Sequence, residues 1–302
     1  MQHARPAVGL LYNPATPDVI AHAGALVEYF SVMPDRLWFD FGQQAEGGKR
    51  FHRALGALSQ ARELSHGRLL AAHGIGLSLP SAMPLDEELL ERVIAMHEDL
   101  QFDWYSEHMS MFLVPGRSVP DAQAGMGLPV PFDHEVLEIV GAKARTLQQA
   151  LGRQILLENG TIFSAIPDPE MSEPDFFNRL HSDHGCGMLL DLHNLYANTL
   201  NLGILAEDYL SRLDPRIVVE IHLAGGDWLK GHYTDSHSRP TPPDVWTLAE
   251  EWAPRFPNLR ALTYEYHESY HKRLGVDGVA QEIDRMRELS ERIAAVPAIE
   301  RA

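Results

Sequence analysis

Eight short apolar runs, each followed by a stretch with helix-like periodicity, set the tightest limit on what this chain can fold into. The runs are VGLLY (8–12), RLWFDF (36–41), RLLAAH (68–73), FDWYSEH (102–108), QILLEN (154–159), GMLLD (187–191), VVEIHL (218–223) and ALTYE (261–265). The helix-like stretches lie at roughly 17–31, 50–65, 86–98, 134–150, 173–183, 204–213, 243–255 and 278–294. Several open on a start signal, such as Asp86 before EELLERVIAMHEDL and the paired prolines of PPDVW. Strand-then-helix alternation repeated eight times is the signature of parallel βαβ units and predicts an α/β fold, a (β/α)8 TIM barrel. With no Ser/Gly linker to divide the chain, residues 1–302 are expected to form a single barrel domain.

Composition narrows the chemistry. A formal net charge of -17 argues against a broad basic face for nucleic acid or anionic lipid, because phosphate binding relies on clustered Lys and Arg. The single cysteine, Cys186, excludes an intramolecular disulfide and a thiolate-rich metal site, so any metal must be held by His, carboxylate and amide groups. Cys186 itself falls at the start of the sixth strand and is expected to pack there. The N-terminal stretch MQHARPAVGLLYNP lacks the features of a signal peptide, and no apolar run reaches the roughly 18 residues of a membrane span, so a cytoplasmic chain with no membrane partner is expected. Residues 114–131, dense in Pro and Gly, are expected to form an irregular loop over the C-terminal face, with a substrate lid as the second reading.

The strand ends carry the functional signal. The third run ends in His73, the fourth in Glu107 and His108, the fifth in Glu158 and Asn159, and the sixth in Asp191, with Asn194 three residues on. The seventh carries His222, the loop after it Asp235 and His237, and the eighth ends in Glu265. Asp235 and His237 stand two apart in the polar stretch GHYTDSHSRPTP (231–242); in extended backbone such residues point to the same side and can reach one cation. A barrel directs all of these ends at one axial space above its C-terminal rim, where active sites of this fold sit. Crowded carboxylates repel unless protonated or neutralised by cations, and several imidazoles beside them suit a transition metal better than calcium or magnesium. His73, His108, Glu158, Asp191, Asn194, His222, Asp235, His237 and Glu265 are too many ligands for one ion and enough for two or three.

At these residues the sequence resembles the multinuclear non-heme iron-dependent oxidative enzymes, also known as domain of unknown function 692. The resemblance lies in HGIGLSL (73–79), SEHMS (106–110), LLENGT (156–161), GCGMLLDLHNLYANTLN (185–201), EIHLAGG (220–226), DSHSRPTPPDVW (235–246) and LTYEY (262–266), in matching order. It implies a TIM barrel with two or three iron ions of mixed Fe(II) and Fe(III) state on the nine residues above, dioxygen as co-substrate, and oxidation of a ribosomally made precursor peptide at a cysteine or C-terminal residue. Catalysis is then expected to depend on Asp191, Asp235, His237 and Glu265, and a small partner protein to present the peptide. Glu107 stands where many members have Asp. The second run, WFDFGQQ, departs from the usual acid followed by Asn and leaves Asp40 as the only nearby acid, and His193 stands where Asn is usual. The competing expectations are a metal-dependent phosphodiesterase resembling endonuclease IV and a metal-dependent sugar isomerase.

Overall fold

A computed structural model describes residues 5–42, 45–114 and 122–295. Eight parallel strands close a barrel: β1 (Ala7–Leu11), β2 (Tyr29–Val32), β3 (Leu69–Gly74), β4 (Trp104–His108), β5 (Ile155–Glu158), β6 (Gly187–Asp191), β7 (Val218–Leu223) and β8 (Ala261–Tyr264). Each pairs with its sequence neighbours, and β8 returns to β1 through Ala7 opposite Ala261 and Leu10 opposite Tyr264. Around the barrel run α1 (Thr16–Ala23), α2 (Leu55–Ser65), α3 (Glu87–Leu100), α4 (His134–Leu151), α5 (Glu173–His184), α6 (Leu192–Leu202), α7 (Ala206–Arg212), α8 (Pro243–Trp252) and α9 (His271–Ala295), the last interrupted at Gly275. Their buried faces join the outward side chains of the strands in one continuous apolar core.

Local chemistry explains where most of these helices start and stop. Asp86 accepts the Leu89 amide at the start of α3, Asp133 the Val136 amide at α4, and Ser172 the Asp175 amide at α5. Each satisfies a donor that the first turn leaves open. Gly152, Gly185 and Gly203 close α4, α5 and α6 in left-handed conformation.

Three expectations are corrected. The second barrel strand is Tyr29–Val32, not 36–41, so the helix expected over 17–31 ends at Ala23 and the one expected from 50 begins at Leu55. The RLWFDF run instead supplies Trp38–Asp40 to a hairpin with Phe51–Arg53. There Trp38 packs edge-on against Phe51, while Phe39 and Phe41 face outward, so its apolar residues do not all serve the barrel. The helix α6 was hidden because His193, Asn194 and Asn198 occupy its buried face and interrupt the apolar period. Residues 114–131 are not uniformly irregular: Met111–Val114 pairs antiparallel with Ala122–Leu128, and 115–121 lie outside the described residues. Cys186 is buried just before β6, as expected, and burial pushes its thiol up to about 12.

Glu173 opens α5 beside an apolar cavity of about 310 Å³ that Phe132, Ile162, Met171, Leu205 and Tyr209 also line. Burial pushes its carboxyl up to about 8, so the folded chain keeps a proton that the unfolded chain releases near the ordinary value of 4.5. This group therefore adds stability below about pH 4.5 that is lost as the pH rises towards about 8, at up to about 1.4 kcal/mol per pH unit. Glu173→Gln is expected to flatten the decline in Tm between pH 5 and pH 8 and to raise Tm at pH 8. Thermal melts of both proteins in chelator check this, and parallel curves would overturn it.

Candidate metal centre

Only alternate strand residues point into a barrel, so its interior is layered. The floor is a separate apolar cluster of Tyr29, Ala71, Trp104, Leu156, Leu189, Val219 and Ala261. Two residues further along β3, β4, β5, β6 and β8 stand His73, Ser106, Glu158, Asp191 and Thr263, and two beyond Ser106 and Thr263 stand His108 and Glu265. Strand β7 breaks the count: its register against β6 skips Val219, and Glu220 and His222 take the inward positions beyond it.

Six of the expected ligands meet at the rim. His73, His108 and Glu158 form one group; Glu158, Asp191, His222 and Glu265 form another; His73, His222 and Glu265 link them. Glu158 Oε2 lies 3.4 Å from His73 Nε2 and 3.3 Å from His108 Nε2, while its Oε1 is 3.5 Å from His222 Nδ1. Glu265 Oε1 is 3.1 Å from His222 Nδ1.

Asp235 and His237 join this cluster at its edge, with His237 Nε2 3.3 Å from Glu265 Oε2 and 2.9 Å from Asp235 Oδ1. They do not reach it through extended backbone. His237 has φ 51°, a left-handed conformation rare outside glycine, which turns its ring back beside Asp235. The turn is held at three points: Ser238 and Arg239 donate to Gly225 O, and His267 N donates to His237 O. A Cβ on Gly225 would lie 2.2 Å from Pro240 O, so a glycine after β7 is what lets this loop fold over the mouth. Asn194 sits beside the cluster with its amide engaged: Nδ2 donates to Asn159 O, and Oδ1 accepts the Thr161 hydroxyl.

Two other expected positions fall elsewhere. Asp40 is held by Arg50 in a two-pronged ion pair on the outer hairpin, away from the rim. With β2 correctly placed, the acid beyond it is Asp35, which accepts the Ile75 amide. Glu107 is buried next to His108, but its Oε1 accepts the Tyr105 hydroxyl and it joins none of the ligand groups. His193 gains a role that its sequence position did not reveal: its Nδ1 is 2.9 Å from Asp235 Oδ1 and steadies that carboxylate. Sequence reasoning also missed Glu220, although the two-residue period of β7 places it on the same side as His222.

Electrostatics strain this assembly in the absence of cations. Burial, reinforced by Asp235, Glu158 and Glu265, pushes Asp191 well above the usual carboxylate range. Burial pushes Glu158 the same way, but His108 and His73 outweigh it and hold that carboxyl well below the usual range. Burial lowers His237, yet Asp235 and Glu265 carry it up to about 10. Glu158 Oε2, Asp191 Oδ2, His222 Nδ1 and His237 Nε2 are all buried without a hydrogen-bond partner. Such orphaned atoms are costly, and positive ions placed among these imidazoles and carboxylates would satisfy them together. The mixed nitrogen and oxygen donor set fits transition-metal cations.

Glu158→Ala is expected to abolish metal retention while leaving far-UV circular dichroism unchanged, and Asp40→Ala to leave metal content at the wild-type level. Because Asp191 and His237 must give up protons to act as ligands, affinity is expected to rise with pH across the neutral range. Competition against a chelator of known protonation behaviour checks both; equal metal content in wild type and Glu158→Ala would overturn the assignment.

Residues 7–291 match the family described as RiPP precursor modification enzyme MbnB/TglH/ChrH. A UPF0276 protein of Chromobacterium violaceum is 37% identical over 194 residues, which span 64% of this chain and 68% of that protein. Among solved structures, D-psicose 3-epimerase from Clostridium cellulolyticum superposes with a TM-score of 0.57 at 10% identity, covering 96% of this chain and 100% of its own. Endonuclease IV from Thermus thermophilus does so with 0.50 at 17% identity, covering 95% and 100%. At such identities the two structures share the barrel alone with this protein. The match over nearly the whole chain is of another order: the protein belongs to the MbnB/TglH/ChrH family of RiPP precursor modification enzymes, the same family that its seven sequence blocks resemble.

Proposed function

We propose that this protein is an iron-dependent, dioxygen-consuming oxidase that modifies a ribosomally made precursor peptide at a cysteine or C-terminal residue. What supports this most directly is a cluster of six potential ligands, five of them buried, with orphaned nitrogen and oxygen atoms, in a chain of a precursor-modifying family. His73, His108 and Glu158 would hold one ion, and Asp191, His222 and Glu265 a second, with Glu158 shared. Asp235, His237 and Asn194 would complete the set of ligands around the second ion or hold a third. Iron in such a mixed shell supplies the activation of dioxygen and one-electron chemistry.

The protein's own residues supply position and protons. His108, Asp235 and His237 are the partly exposed members of the set, with side chains 24%, 25% and 21% accessible, so a peptide group entering the mouth would meet them first. With no ion beside it, Asp235 and Glu265 hold the His237 proton well above the ordinary imidazole range, so seating an ion on Nε2 would release that proton into the mouth. Asp235, fixed between His193 and His237, keeps that imidazole in place. An extended peptide loses much conformational freedom on entering such a mouth, which favours a small partner protein that holds its leader segment. A phosphodiesterase or a sugar isomerase shares the barrel, but a net charge of -17 opposes a grip on DNA, and an isomerase would have fewer histidines relative to carboxylates. Among the described residues no helix is long and apolar enough to cross a membrane.

Protein purified without oxygen is expected to contain two or three irons per chain. Co-expression with a short peptide and a small protein encoded nearby is expected to give an oxygen-dependent mass change on the peptide, lost with Asp191→Ala or Glu265→Ala. Stoichiometric zinc with cleavage of abasic DNA, or turnover of a free sugar with no change in any neighbouring peptide, would overturn the proposal.

A further inference from the structure

Beneath the rim, one buried carboxylate is fully satisfied where those above it are not. Glu220 is completely buried inside the barrel, two residues before His222. Its Oε1 accepts the hydroxyls of Tyr29 at 2.9 Å and Thr263 at 2.6 Å and lies 3.0 Å from His222 Nε2, and its Oε2 accepts the Trp104 indole N–H at 2.7 Å. Among the described residues it has no Lys or Arg partner, and the group it touches that can carry a positive charge is His222. Burying a carboxylate this deeply is expensive unless every lone pair is used.

A carboxylate facing that many donors can only accept, so the shared hydrogen must sit on His222 Nε2. That leaves Nδ1 as the free nitrogen, buried, without a hydrogen-bond partner, and aimed between Glu265 and Glu158. The other two rim histidines are arranged the opposite way. His73 Nδ1 meets the Ser106 hydroxyl and His108 Nδ1 the Gly74 carbonyl, both neutral partners, and each presents Nε2 to Glu158. His222 is thus the member of this trio backed by a charged acceptor. A histidine that donates to a carboxylate is oriented by it and becomes a stronger electron donor to a metal.

We propose that Glu220 is a positioning residue, which commits His222 to binding metal through Nδ1 and strengthens it as a ligand, so that the ion it holds is bound more tightly and is harder to reduce. This rests on the metal centre proposed above. The remaining contacts give Glu220 its rigidity: Trp104 and Tyr29 pack on one another with ring centroids 5.8 Å apart, and Gly9 leaves the space for the Tyr29 ring, since a Cβ there would fall 2.3 Å from it.

Zinc-loaded wild-type protein, which is diamagnetic, tests the geometry without any substitution. Nitrogen-15 spectra are expected to show one histidine metallated at Nδ1 with a slowly exchanging Nε2–H; metallation of every rim histidine at Nε2 would overturn the proposal. Glu220→Gln tests the strength. Because its amide would point a donor at Trp104, the Glu220→Gln/Trp104→Phe pair is made beside it, with Trp104→Phe alone as control. Both Gln proteins are expected to bind one cobalt equivalent about 10- to 100-fold more weakly and, loaded with iron, to show a more positive reduction potential, while Trp104→Phe follows wild type. If wild-type protein takes up no zinc or cobalt, the metal centre itself fails and Glu220 with it. Normal uptake by wild type with the same affinity and potential in the Gln proteins would overturn the role of Glu220 alone.

Discussion

Four carboxylates and four imidazoles share a space at the barrel mouth, five of them buried and His108, Asp235 and His237 partly open to solvent, and their mutual repulsion and attraction govern what surrounds them. In a medium of low dielectric a lone carboxylate is held at high cost, and two close together cannot both stay charged without a positive group between them. The protein answers only part of this demand. Asp191 gives one oxygen to the Asn194 backbone amide as the cap of α6, and Asp235 divides its charge between His193 and His237, yet the second oxygen of Asp191 remains without a partner, as does Glu158 Oε2. Charges retained in this half-satisfied condition weaken the fold unless something else completes them.

The rigid parts of the molecule are placed where they hold those charges still. Five strands, β3, β4, β5, β6 and β8, deliver an inward residue at a fixed two-residue step above a packed floor, and the bulge at Val219 shifts β7 so that it delivers two polar residues. The loop after β7 carries a short antiparallel hairpin, Asp227–Leu229 against His232–Thr234, and beyond it the stretch through Asp235 and His237 is held by the close backbone approach at Gly225 and the hydrogen bond from His267. Asn159 ties the top of β5 to β6 by exchanging both of its amide groups with the Asp191 backbone. Rim geometry is therefore set by backbone contacts as much as by side-chain packing.

Much of this was legible in the chain. Strands whose apolar run ends in a charged residue stand out against the helices between them, and seven of the runs fall on barrel strands because those segments are buried on both faces. The failure at β2 has a physical cause: YFSV is only four residues long and carries a buried serine, whereas the more apolar RLWFDF is split by its hairpin into inward and outward residues. That misplacement also directed attention to Asp40 rather than Asp35. The meeting of Asp235 with His237 was legible from their spacing, but the left-handed turn that achieves it was not, since nothing in a histidine announces a positive φ. Glu220 escaped notice because a carboxylate in mid-strand looks like an anomaly until the tryptophan, tyrosine and threonine that reach it from other strands are seen together.

The apolar floor has a consequence for traffic. Among the described residues Tyr29, Trp104, Leu156 and Leu189 leave no accessible surface at the bottom of the barrel, so the ligand cluster is approached from the rim side. Two reactants that share one doorway cannot enter independently: a bulky one that arrives first narrows the passage for everything after it, and a small one must diffuse past it or wait beneath it. Departure runs in reverse, with the bulky product first. Where a bulky and a small reactant both approach from the rim, the order in which they arrive matters before any difference in affinity is considered.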